Sequence, residues 1–249
     1  MILIILYIKN ISAKCRFNRL ASREKNHSFE YMARRVARAA QNQQPELLTP
    51  TVTTLEELRE AAAGCKACPL WKTGTQTVFG EGAVKSRIMF VGEQPGNDED
   101  LSGRPFVGPA GKLLDKALVE AGIDRSKTYV TNAVKHFKWV LRGKRRIHDK
   151  PNAMEIGACR PWLDSEITLI KPKILVCLGA TAAQALLGRQ FRVTVQRGKF
   201  VPSPLAPFVM ATIHPSAILR AADDETRRLE MARFIHDLKV AQKALVSLR

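Results

Sequence analysis

Short apolar runs rich in β-branched residues recur along the chain and alternate with longer stretches of helical spacing. The apolar runs occupy residues 87–92, 128–134, 173–179 and 208–214. The helical stretches occupy residues 110–121, 154–170, 181–187 and 223–248. A further helix is expected to begin after Thr54, which forms a capping box with Glu57, and to end near Gly64. Residues 197–207 are rich in Pro and are expected to contain at most one short strand.

This alternation predicts the fold class. Apolar strands that alternate with helices are typical of a parallel sheet covered on both faces. With right-handed crossovers, the pattern predicts an α/β fold, specifically a three-layer α/β/α sandwich with a central four-stranded parallel sheet. Ligands of such sheets bind beyond the carboxyl ends of the strands. The residues that follow each strand are therefore the first candidates for a functional site.

The chain is strongly basic, with 40 Lys and Arg against 23 Asp and Glu and a formal net charge of +17. This charge favours an anionic partner, nucleic acid first and a membrane surface second. Residues 1–40 hold nine Lys and Arg but only two Asp and Glu. We predict a basic, disordered leader over residues 1–45, with Met32 as an alternative translation start, and one domain over residues 46–249. The apolar start is too short for a secretory signal, and no apolar run is long enough to span a membrane.

The chain has five cysteines, spread over its length, which argues against a disulfide scaffold and for a reducing compartment. Cys65 and Cys68 form a C-x2-C pair, a spacing that places two thiolates on one metal ion or cluster. Cys159 and Cys177 can complete a four-thiolate site, and spacing alone does not distinguish zinc from an iron–sulfur cluster. The alternative is that Cys159 and Cys177 are small core residues.

Three polar segments follow the predicted strands. Residues 92–111 contain five Gly and three Pro, which allow a close backbone approach to a ligand or form an ordinary long loop. Residues 135–150 carry seven Lys and Arg, two His, a Phe and a Trp, a mixture typical of nucleic-acid binding or of a solvated basic loop. Residues 214–220, HPSAILR, begin with a His that can donate to a carbonyl oxygen or only shape a turn.

Together, GEQPG at residues 92–96, KRRIH at residues 144–148 and HPSAILR at residues 214–220 resemble the uracil-DNA glycosylase superfamily. The resemblance covers about residues 55–245 and is closest to the iron–sulfur family-4 enzymes and, within that neighbourhood, to the UdgX type. Gln94, where family-4 enzymes usually have Ala, and the KRRIH insertion are the UdgX-like features. The resemblance implies a structural [4Fe–4S] cluster, with the ligands Cys65, Cys68, Cys159 and Cys177. Cys15 matches nothing in the pattern.

The resemblance also implies a reaction, the excision of uracil from DNA. The base is either flipped out of a duplex or bound directly in single-stranded DNA. The implied uracil-binding residues are Gln94, Phe106, which stacks on the base, Asn132, which pairs with its edge, and His214, which stabilises O2 of the leaving uracil. In the UdgX type, the KRRIH histidine, here His148, captures C1′ and remains covalently joined to the abasic DNA. Glu93 is expected to orient this imidazole or to accept its proton.

Four basic residues are expected to support the reactive loop or the DNA: Lys144, Arg145, Arg146 and Arg220. The expected partner is uracil-containing DNA, single-stranded first and duplex as the alternative, bound by a monomer in the cytoplasm at a bacterial-type nucleoid. Two alternatives stay open. One is a conventional family-4 enzyme that uses water, and the other is a catalytically silent DNA-binding protein of the same fold.

Overall fold

The computed structural model describes residues 53–248 of the chain. The predicted leader, the alternative start at Met32, the boundary at residue 45 and Cys15 lie outside the described residues. The strands in the described part are β1 (Ile88–Gly92), β2 (Thr128–Asn132), β3 (Trp139–Arg142), β4 (Arg145–His148), β5 (Ile174–Leu178), β6 (Phe200–Val201) and β7 (Phe208–Thr212).

The central sheet has the strand order β2-β1-β5-β7-β6. The first four of these strands are parallel and confirm the predicted four-stranded sheet. The two-residue β6 adds an antiparallel edge and is the short strand expected in the Pro-rich connection. β3 and β4 pair with each other only, as a separate antiparallel hairpin.

The α-helices described between residues 53 and 248 are α1 (Leu55–Ala63), α2 (Asn97–Ser102), α3 (Pro109–Glu120), α4 (Ala153–Ile170), α5 (Ala180–Leu187), α6 (Val193–Gln196), α7 (Pro215–Leu219) and α8 (Asp224–Ser247). A short 3-10 helix also follows Cys68. Thr54 caps α1 as predicted, and both hydrogen bonds of its capping box with Glu57 are present. None of the helices in the described part is both long and apolar enough to cross a membrane.

The two faces of the sheet bury different sets of helices. Met89 and Val91 of β1 pack on the side of α1, α4 and α5. Ile88 and Phe90 point to the opposite face, where α3, α7 and α8 cover them. Successive strand residues alternate between the faces, so a strand buried on both sides becomes one continuous apolar run. The three-layer α/β/α sandwich is confirmed.

The β3–β4 hairpin is the main departure from the predicted secondary structure. Residues 135–150 were expected to form a basic segment without strands, yet Trp139 pairs with His148 and Arg142 with Arg145. The two-residue turn starts at Gly143, whose φ of 59° lies in the left-handed region. Gly at the first central position is typical of a type II′ hairpin turn. The hairpin therefore places His148 at the end of a strand instead of in a loop.

Candidate active site

A cleft of about 900 Å³ opens beyond the carboxyl ends of the parallel strands. This is the position in which sheets of this class bind ligands. The predicted site residues that line it are Glu93, Gln94, Phe106, Asn132, His148, His214 and Arg220. The structure thus brings together residues of the GEQPG, KRRIH and HPSAILR motifs with the single positions Phe106 and Asn132.

Phe106 and Asn132 form a buried part of the cleft and constrain the strand beneath them. Gly92 ends β1 directly opposite Asn132. A Cβ atom at Gly92 would lie 2.3 Å from Oδ1 of Asn132 and 2.8 Å from Cζ of Phe106, so a larger residue would displace both side chains. The backbone of Phe106 has a φ of 59°, a costly conformation for a non-glycine residue that persists where the surroundings enforce it. The cleft therefore presents a fixed aromatic ring beside a buried amide.

A buried ionic network holds the backbone next to that amide. Nζ of Lys135 donates to the main-chain oxygen of Asn132 at 2.8 Å and also to Glu166 and Thr131. Lys135 is only 1% exposed and Glu166 is fully buried, so the two charges neutralise each other inside the protein. Lys135 belongs to the basic segment that is expected to bind nucleic acid or to be exposed to solvent. Because Lys135 is buried, both expectations are wrong for this residue. Its function in the structure is to fix the end of β2.

His214 is held in one tautomer by the helix that it caps. The main-chain N–H of Ser216 donates to Nδ1 of His214 at 3.2 Å, so Nδ1 is an acceptor and the neutral ring carries its proton on Nε2. Burial lowers the pKa of His214 to about 4, and the nearby carboxylate of Glu93 only partly opposes this effect. Near neutral pH, His214 is therefore an uncharged ring with one N–H available to a ligand. The ring of Phe106 is its neighbour, with 6.2 Å between the ring centroids.

Glu93 and His148 face each other at the mouth of the cleft. Nε2 of His148 lies 3.2 Å from Oε1 of Glu93, and the hydroxyl of Thr181 donates to Oε2. Burial alone would raise the pKa of Glu93, but the hydrogen bonds from His148 and Thr181 outweigh burial and lower it. Glu93 is therefore an ionised acceptor that orients the imidazole, while the side chain of His148 stays 48% exposed towards the cleft. Sequence reasoning assigned no role to Thr181, although the residue lies just after the third predicted strand.

Gln94 clamps the base of the hairpin. Its Nε2 donates to the main-chain oxygens of Lys138 at 3.1 Å and Asp149 at 2.9 Å, while its Oε1 accepts from the main-chain N–H of Lys138 at 3.1 Å. These three bonds join the two ends of the segment that carries His148. The uracil contact expected of Gln94 stays a prediction, because the residue lines the cleft but its amide is directed to the hairpin.

Arg146 anchors the hairpin to the body of the protein. Its guanidinium donates to Asp100 at 2.7 Å and to Asn97 at 2.9 Å and lies over the rings of Phe137 and Trp139. Three further predicted basic residues are exposed: Lys144, Arg145 and Arg220. The four basic residues thus divide into one structural anchor and three that remain accessible to a ligand. No local pattern in the sequence marked Asp100 as the partner of Arg146.

Three of the four predicted cluster ligands converge. Cys68 and Cys159 pack in the same small apolar cluster. Burial raises the pKa of Cys159 to about 12, and the neighbouring thiols of Cys68 and Cys65 add to this effect. Cys177 instead lies within β5, fully buried between Val91 and Ala211 of the adjacent strands. The structure therefore does not place Cys177 with the other three thiols.

No three His, Cys, Asp or Glu side chains among residues 53–248 lie close enough together to hold a single metal ion. A four-iron cluster has a different requirement, because each protein ligand binds a different iron and the ligands are spread around the cluster. The buried thiols of Cys68 and Cys159 and the half-buried thiol of Cys65 suit a four-iron cluster.

Comparison with known proteins identifies the family. Residues 79–239 match the sequence profile of the Uracil DNA glycosylase superfamily. The chain belongs to this superfamily. A type-4 uracil-DNA glycosylase of Thermotoga maritima is 39% identical over 176 residues, which cover 70% of this chain and 88% of the relative. Type-4 enzymes of Sulfurisphaera tokodaii and Pyrobaculum aerophilum are 40% and 38% identical, each over 67% of this chain and over 76% and 85% of the relative.

Membership of the uracil-DNA glycosylase superfamily confirms the resemblance found in the sequence. It does not by itself distinguish a UdgX-type enzyme from a type-4 enzyme that uses water. The individual roles of the cleft residues, the cluster ligands and the exposed basic residues also stay predictions.

Proposed function

We propose that this member of the uracil-DNA glycosylase superfamily excises uracil from DNA and then becomes covalently joined to the abasic C1′ through His148. The observation that carries the proposal is the contact of 3.2 Å between Nε2 of His148 and Oε1 of Glu93 at the mouth of the cleft. The names of the type-4 relatives support uracil excision. The exposed, oriented imidazole supports the capture step.

Uracil would be selected by the buried end of the cleft. The amide of Asn132 can donate to O4 of uracil and accept from its N3–H, whereas cytosine offers a donor at position 4 and no N3–H. The ring of Phe106 provides an apolar surface on which the flipped base can stack. Nε2–H of His214 would donate to O2, because its other ring nitrogen already accepts from Ser216.

Cleavage and capture then follow as two steps. The electron pair of the glycosidic bond leaves with uracil, and the donor on His214 stabilises the negative charge at O2. The sugar is left cationic at C1′. The lone pair of the ring nitrogen of His148 that Glu93 does not engage forms the new C–N bond. The resulting imidazolium is stabilised by the carboxylate of Glu93, which can accept its remaining N–H proton.

We further propose a structural [4Fe–4S] cluster bound by the thiolates of Cys65, Cys68 and Cys159. The proximity of the three thiols and the burial of Cys68 and Cys159 support it. Such a cluster would crosslink the segment after α1 to the start of α4 through iron–thiolate bonds, and we assign it no redox step. The fourth ligand is considered separately below.

The DNA backbone would contact the exposed cations around the cleft. Lys144 and Arg145 lie at the tip of the hairpin, and Arg220 lies at the end of α7 on the rim. We propose single-stranded DNA as the first substrate, because a base outside a duplex requires no unpairing. We place the protein, as a monomer, in the cytoplasm at the nucleoid.

The decisive test is incubation with a uracil-containing single-stranded oligonucleotide, followed by denaturing electrophoresis and an assay of free uracil. Wild type should give a heat- and SDS-stable band of lower mobility. His148→Ser should abolish this band but still release uracil, because water can enter the vacated space. The control is His236→Ser, which removes an exposed histidine of α8 that does not line the cleft.

Two results would contradict the proposal in different ways. Uracil release by wild type without a stable band, leaving an alkali-labile site, would indicate a conventional enzyme that uses water. Salt-sensitive DNA binding without any uracil release would indicate a silent member of the fold.

A further inference from the structure

The position of Cys177 leaves the proposed cluster one ligand short. Cys177 packs in the core between the sheet and α1, α4 and α5, whereas Cys68 and Cys159 belong to a separate cluster with Leu70 and Val134. β5 is paired on both sides along its length, so Cys177 cannot move towards the other thiols without breaking the centre of the sheet.

His136 has the features of a missing ligand. It is 4% exposed, and its Nδ1 is buried without a hydrogen-bond partner among the residues that the structure describes. A buried imidazole nitrogen is normally hydrogen-bonded or bound to a metal. An unpartnered Nδ1 therefore requires an explanation.

The hydrogen bonds of Thr77 define which nitrogen of His136 carries the proton. The single hydroxyl proton of Thr77 is donated to the main-chain oxygen of Ala62 at 3.0 Å. The same hydroxyl lies 3.1 Å from Nε2 of His136, so it must accept from Nε2–H. The lone pair of the neutral ring is then on Nδ1. Hydrogen bonding at one nitrogen that leaves the other free to coordinate is the usual arrangement of a metal-ligating histidine.

His136 also lies beside the two segments that carry the converging thiols. The preceding residue, Lys135, donates its main-chain N–H to Sγ of Cys159 at 3.3 Å. A Cβ atom placed on Gly74 would lie 3.4 Å from Cβ of His136 and 3.3 Å from the main-chain oxygen of Leu70. His136 therefore packs against the short segment that begins at Cys68.

We propose that Nδ1 of His136, in place of Sγ of Cys177, is the fourth ligand of the cluster, which gives a Cys3His site. This inference rests on the cluster proposed above and is independent of the capture step. A neutral imidazole in place of a thiolate makes the cluster more positive by one unit of charge and shifts its reduction potential upward. Cys177 is assigned a core-packing role.

Wild-type protein purified without oxygen provides the first test. Iron and acid-labile sulfide are measured, and the reduced cluster is studied by pulsed EPR after labelling with 15N-histidine. A hyperfine coupling from a histidine nitrogen should appear. It should be lost in His136→Cys, a variant expected to keep iron because it restores a thiolate ligand. A wild-type cluster without nitrogen coupling would overturn the His136 assignment, and wild-type protein without iron would overturn the cluster itself.

Matched alanine variants provide the second test. Cys177→Ala should retain the iron content and visible spectrum of wild type, whereas His136→Ala and Cys159→Ala should lose most of the iron. The opposite pattern, with iron lost in Cys177→Ala and kept in His136→Ala, would restore the four-cysteine set. The uracil-release assay is run on the same samples, so that failure of the ligand assignment is distinguished from failure of the glycosylase proposal.

Discussion

Gln94→Ala should separate the proposed capture of C1′ from the excision of uracil. The substitution removes three hydrogen bonds between Gln94 and the base of the hairpin. At about 1 kcal/mol each, these bonds stabilise the seated hairpin by up to about 3 kcal/mol. Arg146 and Trp139 keep independent contacts with the body, so part of this stabilisation survives. Because 1.4 kcal/mol corresponds to a factor of ten, we expect capture to slow by about 10- to 100-fold.

The assay is a single-turnover time course on a uracil-containing oligonucleotide. Free uracil and the SDS-stable adduct are measured in the same samples. Uracil release should fall much less than adduct formation, since Phe106, Asn132 and His214 are unchanged and the amide of Gln94 is directed to the hairpin. Gln184→Ala is the control, because it removes an amide that bonds a main-chain oxygen away from the hairpin. An unchanged adduct rate, or an equal loss of both activities, would refute the assigned role of Gln94.

Four further predictions concern the cleft and the hairpin. The pKa of His214 in the folded protein is about 4, below its ordinary value of 6.5, so protonation of the ring favours unfolding. The free energy of unfolding should therefore fall by up to about 3 kcal/mol as the pH is lowered from 6.5 to 4. Urea titrations should show a smaller fall in His214→Gln; equal falls would contradict this reasoning. Gly92→Ala should abolish uracil release while circular dichroism shows a folded protein, because its Cβ would overlap the amide of Asn132; normal release would refute the close contact. Arg146→Ala should slow the proposed capture and lower the free energy of unfolding by about 3 kcal/mol, since it leaves the buried carboxylate of Asp100 without its charged partner. Arg145→Ala should leave stability unchanged and reduce the salt dependence of DNA binding, as measured by titration at two salt concentrations.

The sheet and its helices were predictable because their signals are local. Strands buried on both faces are continuous apolar runs, as in residues 88–92 and 174–178. Thr54 and Glu57 specify the start of α1 within four residues. Gly143 was the one local sign of the hairpin, whose exposed, charged strands lack a clear apolar alternation.

The site was predictable only in part because its contacts are distant in the sequence. Motifs located Glu93 and His148, but Thr181 lies 88 residues from the carboxylate that it bonds. Spacing alone could not distinguish a ligand thiol from a core thiol, and Cys177 satisfies the spacing while lying inside a strand. His136 belongs to a basic segment, and nothing in the sequence shows that it is buried.

The two ends of the hairpin lie within one hydrogen bond of each other. The main-chain N–H of Asp149 donates to the oxygen of Lys138 at 3.0 Å, so residues 139–148 leave and rejoin the body at the same point. The hairpin is thus an insertion between Lys138 and Asp149. Deleting it would require only that these two residues be joined, and every pairing between the parallel strands would remain. For the proposed capture step, this means that the hairpin is a short insertion that could be transferred to a turnover enzyme of this fold, provided that the recipient also supplies the contacts made here by Glu93, Gln94 and Asp100.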